Sequence, residues 1–525
     1  MKLKILFALA AVVVSKAVFA QPCTDGLSGD FPCDLIDQES FLPLIDFQTE
    51  NLNDIWGWTS PETGREYAIQ GAHNKTAFID ISSPAYPIYL GYLPTATTGS
   101  LWRDVKVVDN YAYIVSEAEQ HGMQVFDLTR LESLLASEIP LVFDADALYN
   151  GFGNCHNIVA DTANKFVYAV GTGTFSGGPH IIDVQDPLNP TYAGSNAQAG
   201  YTHDAQVFTY TGPDQDHVGK EICVGFNEDI IAVYDATDKT DVNLISTEDY
   251  DNVGYVHQGW FTEDQRYMIS NDETDELDFG INTRSILWDM QNLDNPQVID
   301  YVDLGTPSVD HNLYIKGDMV YESNYTTGLR VLDILEIEDG HLEPFGFYDV
   351  FPQADLAAFF GSWSNYPYFE SGVIAVSNMY GSFHALRPRF YEFDQPKLKV
   401  CSEEQASLEF SINKRMFGDV SYAVEMADEG TAGLNPQLLM NETDGAPAQN
   451  TISFSGLNAL EPGYYPGEMV VTYSLGTDRI PFVLIKDDGE TLESPVLIAP
   501  SNETLPDQLV DFSFTDPTPG YAVLQ

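Results

Sequence analysis

Cysteine, positive charge and long apolar runs are all scarce in this chain, and each scarcity removes a class of protein. Five cysteines in 525 residues are too few for a disulfide scaffold, so a hydrophobic core must hold the fold. Only 23 lysines and arginines face 79 aspartates and glutamates, a formal charge of −56. Such a surface repels phosphate backbones and anionic lipid, which excludes a nucleic-acid binder. The acids are scattered rather than gathered in tails, the pattern of a solvated surface. Beyond the first twenty residues no apolar stretch is long enough to span a bilayer, so no transmembrane helix is expected in the mature chain. There is no GxSxG elbow, HExxH pair, phosphate-binding glycine loop or CxxC. None of these motifs is therefore present to name a reaction, and the residues lean toward a protein that is not an enzyme.

What is present begins with a leader. Met1 to Ala20 has Lys2 and Lys4, an apolar run from Ile5 to Val14 and small residues near Ala20, the layout of a secretory signal peptide cut before Gln21. Without Lys2, Lys4 and Lys16, 20 basic groups face 79 acidic ones, a net charge of −59. Cys23 and Cys33 follow ten residues apart, where an exported protein oxidises them, and are expected to close a small loop in residues 21–39. Cys155 and Cys223 fall on strands of neighbouring repeats, where either a bridge or two buried free thiols fits. Cys401 has no evident partner.

The dominant feature is a repeat. In Ser308 to Ile334 a polar pair, His311-Asn312, opens an apolar strand. A turn at Lys316-Gly317-Asp318 leads to a second strand, and Gly328 precedes a third that closes on Asp333. The opening pair recurs as Asn53-Asp54, Arg103-Asp104, His156-Asn157, His203-Asp204, His257-Gln258 and, degenerate, Gly361-Ser362. Second members of successive pairs are 50, 53, 47, 54, 54 and 50 residues apart. The closing aspartate recurs as Asp80, Asp127, Asp183, Asp235, Asp289 and Asp333, with Ala385 in the seventh copy. A period near fifty with about four short strands per unit predicts a seven-bladed β-propeller over 40–393. The abundance of glycine, tyrosine and phenylalanine suits an all-β chain. After Phe393 the repeat stops, and short strands between turns over 394–490 predict an immunoglobulin-like β-sandwich. Residues 494–525 are similar to the first half of a fibronectin type III domain. Since a domain ending mid-fold buries no core, the chain is expected to continue beyond Gln525.

CTDGLSGDFPC, DIWGWTSPETGREYAI, SLWRDVKVV, HGMQVFDLTRL, YTHDAQVFTYTGPD, HQGWFTEDQRY and DHNLYIKGDMVYESNYTTGLRVLD together resemble the choice-of-anchor B family, bacterial exported proteins built on the LVIVD-type propeller repeat. The resemblance covers Cys23 to Arg389. It implies a secreted or cell-surface protein with a C-terminal anchor, which would lie beyond Gln525, and it brings no established reaction.

The candidate site follows from propeller geometry. The residue opening each innermost strand sits at one mouth of the central channel, which places Arg103, His156, His203, His257 and His311 there, beside Asp104 and Asp204. His73, His121 and His180 fall in loops expected on the same face. This mouth is read as gripping a surface ligand, a glycan or a protein. Two or three adjacent imidazoles with Asp104 or Asp204 also suit a divalent transition ion, which would make a metal-dependent hydrolase or lyase. A structural reading has each histidine bonding a neighbouring backbone, and a purely structural surface-layer element is the third possibility. In NDETDELDFG the clustered oxygens of Asp272, Glu273 and Asp275 suit calcium. The six tryptophans are read as packing between sheets.

Overall fold

The computed structural model describes residues 20–393 without interruption. Beyond these it describes 397–401, 405–414, 420–426, 434–440, 448–473, 475–487, 496–499 and 513–515. The proposed leader therefore lies outside the described residues, apart from Ala20. No helix among the described residues is long and apolar enough to cross a membrane.

Each copy of the repeat folds into an antiparallel sheet. The first strands are Leu52–Thr59, Arg103–Val108, Asn157–Asp161, Asp204–Thr209, Val256–Phe261, Leu313–Lys316 and Ser362–Tyr366. Second strands begin at Glu66, Tyr111, Phe166, Glu221, Tyr267 and Met319, where the apolar runs begin, and at Ile374, one residue into the run that starts at Val373. All six closing aspartates do the same work. Oδ1 of Asp80, Asp127, Asp183, Asp235, Asp289 and Asp333 accepts the N–H two residues on, at 2.8–3.1 Å. The carboxylate caps the turn out of the third strand as an Asx-turn, which is why an aspartate recurs there.

The seven sheets form a closed cycle. Each first strand packs on the next, and the seventh packs back on the first. A buried apolar cluster lies between every adjoining pair. Between the first and second sheets, Phe78 stacks on Phe126 with ring centroids 4.4 Å apart. Between the seventh and first, Leu52, Ile55 and Ala68 meet Phe383 and Ala385. This is an all-β, propeller-like arrangement. Its closure comes from the N-terminus: Ile36–Pro43 pairs with Ser382–Pro388 as the outermost strand of the seventh sheet. That strand runs through the boundary expected at 39/40.

Cys23 and Cys33 are disulfide-bonded, and Phe31–Asp34 extends the edge of the sixth sheet. Cys155 and Cys223 are both free and buried, so the bridge left open between them is not formed. Cys155 belongs to the cluster between the second and third sheets, and Cys223 to the one between the third and fourth. The third sheet stands between the two thiols. From Tyr391 on, two four-stranded sheets, the first of which includes Tyr391–Phe393, share one buried cluster that includes Ile452, Phe454, Met469, Val471, Phe482 and Leu484. Within the expected fibronectin-like segment, Val496–Ala499 pairs with Ser513–Thr515.

Candidate functional site

Four of the five opening residues singled out for one channel mouth meet there as a stack. Ring centroids of His156 and His203 are 4.2 Å apart, His203 and His257 4.4 Å, and His257 and His311 4.2 Å. His203 Nδ1 donates to the His257 carbonyl at 3.1 Å, and His311 Nδ1 donates to that of Trp363. A carbonyl only accepts, so both rings carry their proton on Nδ1 and leave the Nε2 lone pair free. Burial, the main cause, holds His203 and His257 well below the usual imidazole range and takes His311 down to about 3. All three are neutral at pH 7, the form that ligates metals. Both nitrogens of His257 are buried without a hydrogen-bond partner.

The carboxylate that joins these rings is Glu273. Its oxygens lie 3.6 Å from His311 Nε2 and 3.9 Å from His257 Nε2, and Oε1 accepts from Tyr325 Oη at 2.8 Å. Burial pushes its carboxyl up to about 7. Donor atoms of His203, His257 and Glu273 all lie within 4.8 Å of one another. A tetrahedral ion with bonds of about 2.0–2.1 Å would require them to close by roughly an ångström. The nitrogen donors fit a transition ion.

Asp104 and Asp204 do not join this group. Successive strand residues point to opposite faces, so the aspartate after each opening residue turns away from it. Asp104 Oδ1 accepts Lys106 Nζ at 2.7 Å, and Oδ2 accepts the Ile158 N–H at 2.8 Å. Asp204 Oδ1 accepts the Ala205 N–H at 2.7 Å. Asp54, Asp104 and Asp204 form a buried polar layer around Lys106. Burial pushes Asp54 and Asp204 up, with the charge of Asp104 adding to this and that of Lys106 opposing it. Arg103 is also committed, its guanidinium donating to the Ala72 carbonyl and Thr95 and lying 3.0 Å from His121 Nε2. His156 Nδ1 lies 2.6 Å from Glu117.

The other histidines expected on this face take other roles. His180 is wrapped by Tyr149, Phe152, Phe175 and Tyr192, and His73 is partly exposed near Glu50. The three acids grouped for calcium are committed to three different sets of partners. Asp272 accepts from the N–H groups of Gly254 and Tyr255 and from Tyr250. Glu273 faces the histidines, and Asp275 holds Arg284 Nε at 2.6 Å. A further grouping, Asp214, His217 and Asp294, was not singled out by the repeat.

The space available differs sharply between the two ends of the first strands. At the histidine end, residues including His156, His203, His257 and His311 leave about 10 Å³, room for about one water-sized body. At the opposite end a cavity of about 590 Å³ is lined by Trp56, Trp260, Phe208, Tyr366 and Tyr368, with Lys106 and Gln206 also reaching it. Tyr314 lies buried between Trp56 and Trp260, its ring 5.6 and 5.0 Å from theirs. Lys106 Nζ sits 4.6 Å from the Trp56 ring centre. Trp56 and Trp260, read from sequence as packing, are only half-buried and form the cavity wall.

No family model and no curated relative matches the chain. Among solved structures it is similar to a protein from Lactobacillus plantarum, at 15% identity and a TM-score of 0.40 over 62% of this chain and 88% of that one. Two COPII coat structures are similar at 9% identity and a TM-score of 0.44, each over 64% of this chain. One, of the outer coat vertex on membranes, is covered over 84% of its chain, and the other, of the coat assembled on membranes, over 46%.

Proposed function

We propose that the chain is an exported seven-bladed propeller of the choice-of-anchor B type, carried at a bacterial cell surface on immunoglobulin-like and fibronectin-like domains, and that it is a ligand-binding module. The closed cycle of seven sheets supports the blade count, and the Cys23–Cys33 disulfide fits an oxidising compartment. One observation carries the binding reading: the cavity of about 590 Å³ walled by Trp56, Trp260, Tyr366 and Tyr368. A cavity of this size, mostly apolar with a few convergent polar groups, is the usual form of a small-ligand site. Indole and phenol faces stack on the apolar face of a sugar ring, while Lys106 and Gln206 can meet its hydroxyls. A glycan residue fits here, whereas the space of about 10 Å³ at the histidine mouth does not admit one.

Saturation-transfer NMR of the full secreted chain against a defined set of mono- and disaccharides tests this. At least one sugar is expected to receive saturation, and the paired change Trp56→Ala, Trp260→Ala is expected to weaken it about 100-fold, equivalent to 2.7 kcal/mol. Equal binding by parent and variant would remove the cavity from the reading.

A second reading rests on the unpartnered nitrogens of His257. His203, His257 and Glu273, with His311 in reach, would hold a divalent transition ion. When bound, such an ion supplies Lewis acidity and can lower the pKa of a ligated water, the chemistry of a hydrolase or lyase. The chain's own part is to hold the imidazoles neutral and to orient Glu273 through Tyr325. Elemental mass spectrometry on the untagged secreted chain should find about one transition ion per chain, and none in a folded His203→Ala, His257→Ala variant. Absence of the ion from the parent would leave these histidines as fasteners between blades.

A further inference from the structure

On the reading that the cavity of about 590 Å³ is a sugar site, we infer that its sugar is an uncharged one bearing an acetamido group, with the carbonyl accepting from Gln206 and Lys106 and the methyl against the aromatic wall. The charge of the lining excludes acidic sugars. Lys106 is the one cation among the described residues that line the cavity, and its charge is already balanced. Its Nζ lies 2.7 Å from Asp104 Oδ1, and the charges of Asp54 and Asp204 also act on it. The other charged lining residues are the exposed acids Asp109 and Glu263. Lys165 Nζ neutralises Asp109 at 2.7 Å, whereas Glu263 accepts an uncharged donor, the Gly317 N–H, at 2.8 Å. A ligand carboxylate would give up its water without gaining an unpaired cation, and it would face Glu263.

The unspent hydrogen bonds of the wall are donors. Gln206 Oε1 accepts the Phe261 N–H at 2.9 Å. A backbone N–H only donates, so this bond fixes the amide and leaves its NH₂, with two donors, for a ligand. Lys106 brings three N–H donors and gives one to Asp104. Trp58, which also lines the cavity, keeps its indole N–H buried without a partner, and an indole only donates. Gln265 in the same lining is spent on Thr211 and Thr209. An ammonium on the sugar would therefore set donor against donor. A hydroxyl serves in either role, whereas an amide carbonyl only accepts, with two lone pairs, and matches such a wall. The methyl beside it adds apolar area to bury against Trp56 and Trp260, which a hydroxyl does not. An acetamido group is uncharged, accepting and apolar at once.

NMR titration of the full secreted chain with N-acetylglucosamine, glucose, glucosamine and glucuronic acid, and with the four matching sugars of the galactose series, tests this. In the series that binds, the acetamido sugar should bind at least about tenfold tighter than the plain one, from one hydrogen bond and one buried methyl. The amine and the acid should bind more weakly than the plain sugar. Gln206→Glu keeps an oxygen for the Phe261 N–H and removes the amide donors, so the ratio of acetamido to plain affinity should fall to about one in that variant. Both affinities come from one sample, so partial loss of fold does not imitate this result, and the parent's ratio stands whether or not the variant folds. The inference is overturned, with the sugar site left standing, if the parent binds plain sugars and gains nothing from the acetamido group, or binds glucuronic acid as tightly as glucose. Full retention of the preference in Gln206→Glu overturns it too, since another group would then supply the donor. If no sugar of either series binds, the sugar site and the inference fall together.

Discussion

The two ends of the seven first strands have opposite characters. At one end the residues that repeat from copy to copy pack against one another: four stacked imidazoles leave about 10 Å³ between them. At the other end the residues do not repeat. Two positions after each Asx or Gln of the opening pair, on the same strand face, stand Trp56, Lys106, Val159, Gln206, Trp260 and Tyr314. Around them about 590 Å³ stays open. What repeats fastens sheet to sheet and closes a mouth, while what departs from the repeat shapes a site. The polar layer of Asp54, Asp104, Asp204 and Lys106 divides the two.

The largest effect is expected from breaking that divide. Lys106 Nζ is the buried cation among three carboxylates, and removing one partner of such a set leaves uncompensated charge. Lys106→Met should cost about 3–5 kcal/mol in denaturant unfolding at pH 7, with part of the loss recovered in acid as carboxylates protonate. A cost below about 1 kcal/mol, the value of an exposed ion pair, would mean that water reaches the layer and the channel is not divided.

A smaller effect sharpens the contrast from the histidine side. Burial holds His257 and His203 well below the usual range and His311 at about 3, whereas the unfolded chain takes up a proton at each near pH 6.5. The unfolded state thus binds more protons below pH 6.5, and stability falls with pH from about 6.5 toward the folded values. The raised carboxyl of Glu273 acts in the opposite sense: the folded state keeps its proton between about 4.5 and about 7, and stability from this source is lost as pH rises through that window. A single substitution isolates one contribution. His257→Phe should lower the slope of unfolding free energy between pH 6.5 and 5.5 by about 1 kcal/mol per pH unit. An unchanged slope would show that His257 is protonated in the folded chain, which would also remove it as a metal ligand.

The propeller-like core was legible because its cause is local and repeated. Six of the seven second strands begin where the apolar runs begin, and each closing aspartate binds a backbone group two residues away. What was not legible depends on distance or direction. Ile36–Pro43 completes the seventh sheet by pairing with Ser382–Pro388, more than 300 residues on, and nothing in its own sequence names that partner. The repeat groups the histidines, and the fold stacks four of them, whereas strand alternation turns Asp104 and Asp204 away from that stack. Glu273 lay in a loop noted for its acids, and only the fold shows that it faces imidazoles. Trp56 and Trp260 resembled packing residues because a half-buried indole on a strand has the same pattern in sequence whether a sheet or a cavity faces it.

The smallest expected effect tests whether the repeating residues are fasteners and no more. Asp183 caps the turn after its strand through Gln185 N–H at 2.9 Å and is remote from the stacked histidines and the carboxylate layer. Asp183→Ala should cost about 1 kcal/mol, the value of one ordinary hydrogen bond at an exposed turn, and should leave both metal content and sugar binding unchanged. The seventh copy shows why so little is expected, since Ala385 occupies the equivalent place and the sheet forms without the cap. A loss of sugar binding in Asp183→Ala would mean that the turns at the cavity end help to hold its walls, and the separation between repeating fasteners and a non-repeating site would fail at that mouth.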